Sequence, residues 1–317
     1  MVLEDLPGAV QEQMRPFYDT FMAIMERRGE RKRAEELLKT YFSLIVEQVQ
    51  NPFPFSGFHE AEREPLDFYR LGQDLLNPLI DVEKSTLLGA ENLEEMEEAI
   101  RAGSNVILLV NHQSEMDPQI ISSFLDERGS LLGRNMICIA GHRVVEDPIT
   151  APLCRGRNLL CVWSKKYLDF PPEKRAEKLQ HNFRTLRILE KILKAGGAFV
   201  YIAPSGGRER PDEDGKIHVA RFDPDSIEML SIISEKSKTP TLFYTLALSS
   251  YAIMPPPDEV KIEIGEERKS TFHPAHLYFG KRVDMNAFPA PTKLERREAR
   301  AQGIWQQLVN DYKLLPK

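Results

Sequence analysis

His112 and Asp117 stand five positions apart in the stretch Val106-Ile-Leu-Leu-Val-Asn-His112-Gln-Ser-Glu-Met-Asp117-Pro118. A histidine held by a carboxylate can take a proton from a weak nucleophile, which is general-base chemistry. On a helix that separation turns the two side chains about 140° apart, and on a strand it puts them on opposite faces. They meet only if a turn lies between them. The sequence supplies one: an apolar run that reads as a strand buried on both faces turns abruptly polar. Asp117-Pro118 then reads as a helix N-cap followed by proline at the first helical position.

Basic residues follow three other apolar runs. Met136 to Ala140 leads to Arg143, Asn158 to Trp163 leads to Lys165 and Lys166, and Ala198 to Ala203 leads to Arg208 and Arg210. In Ser205-Gly-Gly207-Arg208-Glu-Arg210, glycine-rich backbone can approach an anion while two guanidiniums pair with it. Each cation alone is as well explained as a solvated surface group. Four strand ends carrying a His–Asp pair and five cations point jointly to an anion pocket beside a base.

These residues need a frame to hold them. Residues 1–82 read as a small helical bundle, with stripes Phe17, Phe21, Ile24, Met25 and Leu37, Leu38, Tyr41, Leu44, Ile45, Val49, then a breaker at Asn51-Pro-Phe-Pro and a helix from about Asp67 to Leu76. From 83 to 317 strands alternate with helices. Glu91 to Ala102 and Glu173 to Ala195 read as helices, the second with Leu179, Phe183, Leu186, Leu189 and Leu193 on its apolar side. Thr241 to Leu248, Val260 to Ile264 and Leu277 to Gly280 read as strands, and a charged helix begins near Lys293. The expectation is an α/β domain with a mixed, largely parallel sheet flanked by helices, preceded by a smaller helical-bundle domain. Ligands of such sheets sit beyond the carboxyl ends of the strands.

A chain of 317 residues can bury a large core, and its net charge of −6 argues against nucleic-acid binding. Cys138, Cys154 and Cys161 lie in apolar surroundings and read as buried reduced thiols. No signal peptide and no apolar run of about 20 residues is present, so no integral membrane span is expected and a cytoplasmic location is. Gly-x-Ser-x-Gly, Walker and Gly-x-Gly-x-x-Gly motifs are absent. His-Glu-x-x-His is absent too, and His273-Pro-Ala-His276 is an unsupported pair, so no metal site is expected.

Asn111-His112-Gln-Ser-Glu-Met-Asp117 matches the His-x4-Asp motif of the glycerolipid acyltransferase superfamily. Leu66-Asp-Phe-Tyr-Arg-Leu-Gly, Gly156-Arg-Asn-Leu-Leu-Cys-Val, Ser164-Lys-Lys, Ile202-Ala-Pro-Ser-Gly-Gly-Arg-Glu-Arg-Pro211 and Ile253-Met-Pro-Pro-Pro extend the match. From about residue 66 to 265 the chain resembles the soluble, plastid-type glycerol-3-phosphate acyltransferases. The resemblance implies a small helical domain before a larger α/β domain. It implies transfer of a fatty acyl group from acyl carrier protein or coenzyme A to the sn-1 hydroxyl of glycerol 3-phosphate, with no cofactor beyond that thioester. By position, His112 matches the catalytic base, Asp117 the residue orienting it, and Lys166, Arg208 and Arg210 the phosphate-binding residues. Arg143 and Lys165 are weaker candidates of the same kind. Tyr167 stands where plastid-type enzymes carry histidine; it can hydrogen-bond a phosphate but adds no charge near neutral pH. The basic face of the 173–195 helix suits an acidic carrier protein. Such a reaction leaves room for a peripheral membrane contact at product release, and for work in a plastid stroma where the source has one. The alternatives are acylation of lysophosphatidate or another phosphorylated acceptor, and a non-catalytic acyl-carrier or lipid-phosphate binding module.

Overall fold

The six residues of Asn105–Val110 are all buried, and they form the strand on which the rest of the sheet is arranged. The computed structural model describes residues 3–257 and 266–316. Among these, eight strands make one sheet: β1 (Phe58–His59), β2 (Thr86–Leu88), β3 (Asn105–Val110), β4 (Ile137–Gly141), β5 (Asn158–Val162), β6 (Phe199–Ile202), β7 (Thr241–Ser249) and β8 (His276–Val283). Their spatial order is β1-β5-β4-β6-β3-β7-β8-β2. The neighbours from β5 to β7 all run parallel, so their carboxyl ends share one edge. At the margins β1 is antiparallel to β5 and β8 to β7, while β2 runs parallel to β8. The sheet is mixed and largely parallel, as its apolar runs imply.

Alternation along β3 divides the core. Val106, Leu108 and Val110 face a cluster that includes the N-terminal helices, and Ile107 and Leu109 face a second cluster on the other side. That second cluster is covered by the helices Arg175–Ala195, Pro224–Ser237 and Lys293–Tyr312. Burying each aliphatic side chain contributes about 1.5–3 kcal/mol. The strand is therefore a stiff mount for whatever follows it.

The N-terminal segment is helical, with helices Gly8–Arg27, Arg31–Gln50 and Phe68–Leu76. Packing runs across residue 82. Leu3 through Leu79 share one apolar cluster with the sheet, β1 pairs with β5, and the Tyr41 hydroxyl donates to the Ile149 carbonyl at 2.7 Å. These helices thereby brace the 142–155 connection behind Arg143.

Several elements differ from expectation. The helix Pro224–Ser237 was not foreseen, though Asp223 caps it by accepting the Ser226 amide and proline sits in its first turn. The edge strands β1 and β2 are too short for periodicity to reveal. β8 is longer than the four residues expected at 277–280, and the expected strand Val260 to Ile264 lies outside the described residues. On the helix Arg175–Ala195, Leu179 and Phe183 were expected on the buried side but are 38% and 59% exposed. Lys178 is instead the buried member of that turn, donating to the carbonyls of Tyr167 and Phe170.

Candidate active site

The turn after β3 brings His112 Nδ1 to 2.8 Å from Asp117 Oδ2. Asp117 is fully buried, and its carboxylate accepts from four donors: the His112 ring, the amides of Gln113 and Ser114, and the Ser250 hydroxyl at 2.6 Å. An ionised carboxylate is an acceptor only, so a donating Nδ1–H leaves the lone pair of His112 on Nε2. The ring keeps 24% of its side-chain surface open. The imidazole is thus held in one orientation, with Nε2 the nitrogen that could accept a proton.

One local expectation needs correction. Asp117 is not the N-cap of the helix Asp117–Glu127; Met116 holds that place without a side-chain cap. The Asp117 carboxylate turns back to the amides at 113 and 114, which would otherwise be orphaned as the chain leaves the buried strand. Pro118 in the first helical turn is as expected.

The cations gather at the same edge, after β4, β5 and β6, and they arrive with partners. Arg208 pairs with Glu266 and lies 3.7 Å from Glu115, and Arg143 lies 3.7 Å from Glu266. Arg143 also donates to the Tyr167 hydroxyl at 2.7 Å. The exposed Lys166 sits 5.5 Å from the centroid of the Tyr167 ring. Arg210 donates to the carbonyls of Pro257 and Arg208, each at 3.2 Å. Burial alone would raise the Glu266 carboxyl, but Arg208, Arg268 and Arg143 outweigh it and hold it below its ordinary value. Lys165 is engaged elsewhere, with Asp223 at 2.9 Å and Asp225 at 2.5 Å. The structure groups Arg143, Tyr167, Lys166 and Arg208, and ties Lys165 to the helix Pro224–Ser237.

Several further residues meet at this edge without a local signature that marks them as partners. Ser250, which completes the Asp117 shell, directly follows β7; the strand-end rule that found the cations applies to it equally. Glu115 lies inside the turn itself and binds Arg268 at 3.0 Å, which in turn binds Asp147 at 2.8 Å. Glu209 is 3% exposed, and burial pushes its carboxyl up to about 7. His142 stacks on Trp163 at 4.1 Å and meets Tyr167 edge-on at 5.0 Å. Burial, aided by Lys178 and Arg143, pulls its pKa down to about 4.

Cys138, Cys154 and Cys161 are free thiols, and burial pushes Cys138 up to about 11 and Cys161 to about 12, so neither is a thiolate near neutral pH. His276 is 2.9 Å from the Thr86 hydroxyl, and His273 contacts the carbonyl of Pro274. Among the described residues no group of three His, Cys, Asp or Glu is placed to hold a metal ion, and no helix is long and apolar enough to cross a membrane.

A carboxylate-held imidazole beside a cluster of strand-end cations is an arrangement that could serve transfer of a group to a hydroxyl on an anionic acceptor. Residues 90–241 match the sequence-family model described as Acyltransferase, a span running from the helix Ala90–Arg101 before β3 to the first residue of β7. Similarity extends over nearly the whole chain. The chloroplastic glycerol-3-phosphate acyltransferase of Arabidopsis thaliana is 35% identical over 317 residues, 98% of this chain and 69% of that protein. The chloroplastic enzyme of Spinacia oleracea is 37% identical over 289 residues, 89% of this chain and 61% of its own length. A chloroplastic form from Cucurbita moschata is 36% identical over 317 residues, 98% of this chain and 68% of that protein. The chain belongs to the glycerol-3-phosphate acyltransferase family.

Proposed function

We propose that this chain transfers a fatty acyl group from an acyl thioester to the sn-1 hydroxyl of glycerol 3-phosphate, giving 1-acyl-glycerol 3-phosphate, the first step of phospholipid synthesis. One observation carries the reading most directly. The amide of Glu209, between Arg208 and Arg210, donates to the carbonyl of His112 at 2.6 Å. The arginine loop and His112 are thus joined directly, backbone to backbone, and an acceptor anchored by its phosphate would have its hydroxyls within reach of the imidazole.

An alcohol attacks a thioester poorly unless a base removes its proton as the bond forms. His112 Nε2 takes that proton while the hydroxyl oxygen adds to the thioester carbonyl. The tetrahedral adduct then collapses, the carbon–sulfur bond breaks, and the imidazolium returns the proton to the departing thiolate. Asp117 fixes the tautomer and stabilises the imidazolium. Arg208, Arg210 and Lys166, with Arg143 and Tyr167 beside them, hold the phosphate. Binding is then an exchange of anions, because Arg208 and Arg143 are already shared with Glu266. Anchoring one end of the acceptor turns the encounter with the base into a unimolecular event, which lowers the barrier by several kcal/mol, of the order seen in well-oriented intramolecular reactions. The thioester supplies the activation, so the reaction needs no resident cofactor.

The donor is an acyl carrier protein or coenzyme A. The carrier is favoured by the exposed Arg184, Arg187, Lys191 and Lys194 along the helix Arg175–Ala195, with Leu179 and Phe183 exposed among them, a face complementary to an acidic protein. A radiolabelled glycerol 3-phosphate assay with both donors, run beside lysophosphatidate and other phosphorylated acceptors, tests the reading. Label should enter 1-acyl-glycerol 3-phosphate, and the carrier-linked donor should show the lower KM. Preferred acylation of lysophosphatidate would replace this acceptor, and no transfer to any acceptor would leave a binding module.

A further inference from the structure

Glu209 separates the two arginines of the cation loop but takes different partners from theirs. Its Oε2 accepts from Asn111 Nδ2 at 3.2 Å and from Gln113 Nε2 at 3.0 Å, and its Oε1 from the amide of Ala220 at 3.0 Å. Its own amide donates to His112. Glu209 therefore grips the residue before the base, the residue after it, and the carbonyl of the base itself.

The contacts close into a ring. Gln113 Oε1 accepts the amides of Ser250 at 2.8 Å and Tyr251 at 3.1 Å. The Ser250 hydroxyl donates to Asp117, Asp117 accepts from His112, and the His112 carbonyl accepts from Glu209. Neither amide side chain can turn over to suit another residue at 209. Asn111 Oδ1 is taken by the Leu248 amide at 2.8 Å and Gln113 Oε1 by the two amides just named. Three N–H donors thus converge on a group that must be an acceptor.

A buried carboxylate is costly, and nearby Asp117 adds to the cost of charging this one. A neutral residue would be the cheaper filling if shape were all that mattered. We propose that Glu209 is a positioning residue for the acyl-transfer base: through Asn111, Gln113 and Ser250 it fixes the His112–Asp117 turn against the arginine loop, so that base and anchored acceptor keep one geometry. The inference rests on His112 acting as the base.

Glu209→Gln keeps the size but sets an amide N–H2 against one of the three donors. Its kinetics are compared in the otherwise unchanged chain and in a His112→Ala background, with thermal unfolding followed in parallel. With His112 present, kcat should fall ~10²-fold, within the range that general bases supply, while the KM for glycerol 3-phosphate stays within ~3-fold. In the His112→Ala background the same change should alter the residual rate less than ~2-fold, because no base remains to be oriented. Equal loss in both backgrounds, or an unchanged kcat, overturns the proposal. Should Glu209→Gln fail to fold, Gln113→Met opens the same ring from its other side and must show the same split. High activity in His112→Ala alone would instead sink the base assignment on which the inference stands.

Discussion

The two halves of the site are built on opposite terms. On the base side Asp117 has no exposed surface, four donors meet its carboxylate, and the hydrogen bonds run to residues mounted on β3 and β7. On the cation side the Arg208 and Arg143 side chains are 17% and 21% exposed, Lys166 is exposed, and Arg208 and Arg143 pair with the side chains of Glu266, Glu115 and Tyr167. A buried charge must be met by fixed dipoles, because each unmade bond there costs kilocalories. Arg208 and Arg143 keep a little of their surface open and are met by carboxylates on rotatable side chains rather than by fixed backbone amides. Orientation of the His112 ring is therefore built into the fold, whereas Arg208 and Arg143 are set by ion pairs with Glu266 and Glu115 that a bound anion would have to compete with.

That contrast predicts two kinds of kinetic defect. His112→Ala should produce the largest effect, a fall in kcat of ~10³-fold or more with the fold intact by circular dichroism. Activity above a few per cent of the parent would remove His112 from its role. Arg208→Ala comes next and belongs to the other half. The KM for glycerol 3-phosphate should rise ~10-fold to 10²-fold, as for loss of a charge-assisted hydrogen bond, with kcat nearly constant. A kcat defect as large as that of His112→Ala would erase the distinction between the halves.

Tyr167→Phe is a finer probe of the cation half. It deletes the hydroxyl that receives Arg143, so the KM should rise ~5-fold, the scale of one hydrogen bond to a charged group, and no change would exclude that hydroxyl from acceptor binding. Tyr167→His, which offers a protonatable ring at the same place, should lower the KM as pH falls below about 6.5.

The last effect concerns stability rather than turnover. His142 is held neutral with its pKa at about 4 against an ordinary 6.5. Between those values the unfolded chain binds the extra proton, so this group's contribution is present above 6.5 and is lost as pH falls towards 4. His142→Phe keeps a ring against Trp163 and removes the titration. Urea midpoints of the two proteins should converge at pH 7 and separate in favour of the variant at pH 4.5, and parallel curves would show that His142 does not titrate in this way.

Much of this was legible in the chain. An unbroken Val106-Ile-Leu-Leu-Val run can only be buried on both faces, and a polar turn after it can bring His112 and Asp117 together. Cations after successive apolar runs can converge only if those runs lie parallel and adjacent, as β5, β4, β6 and β3 do. What stayed hidden lies in pairings of long separation: Asp117 with Ser250 across 133 positions, Glu115 with Arg268 across 153, and Lys165 with Asp223 across 58. No local period or spacing encodes them.

Residue type and local spacing thus marked out the His112–Asp117 pair and the cations that follow the strands, because turn chemistry and burial act over a few residues. Tertiary structure alone decided which of those cations meet. It withdrew Lys165 into an ion pair, set Glu266 and Glu115 against the arginines, and turned Asp117 from a helix cap into the centre of a buried shell. The physical reason is one of range: a strand's burial is written in its own side chains, whereas the partner of a charge depends on where the sheet places every other strand end.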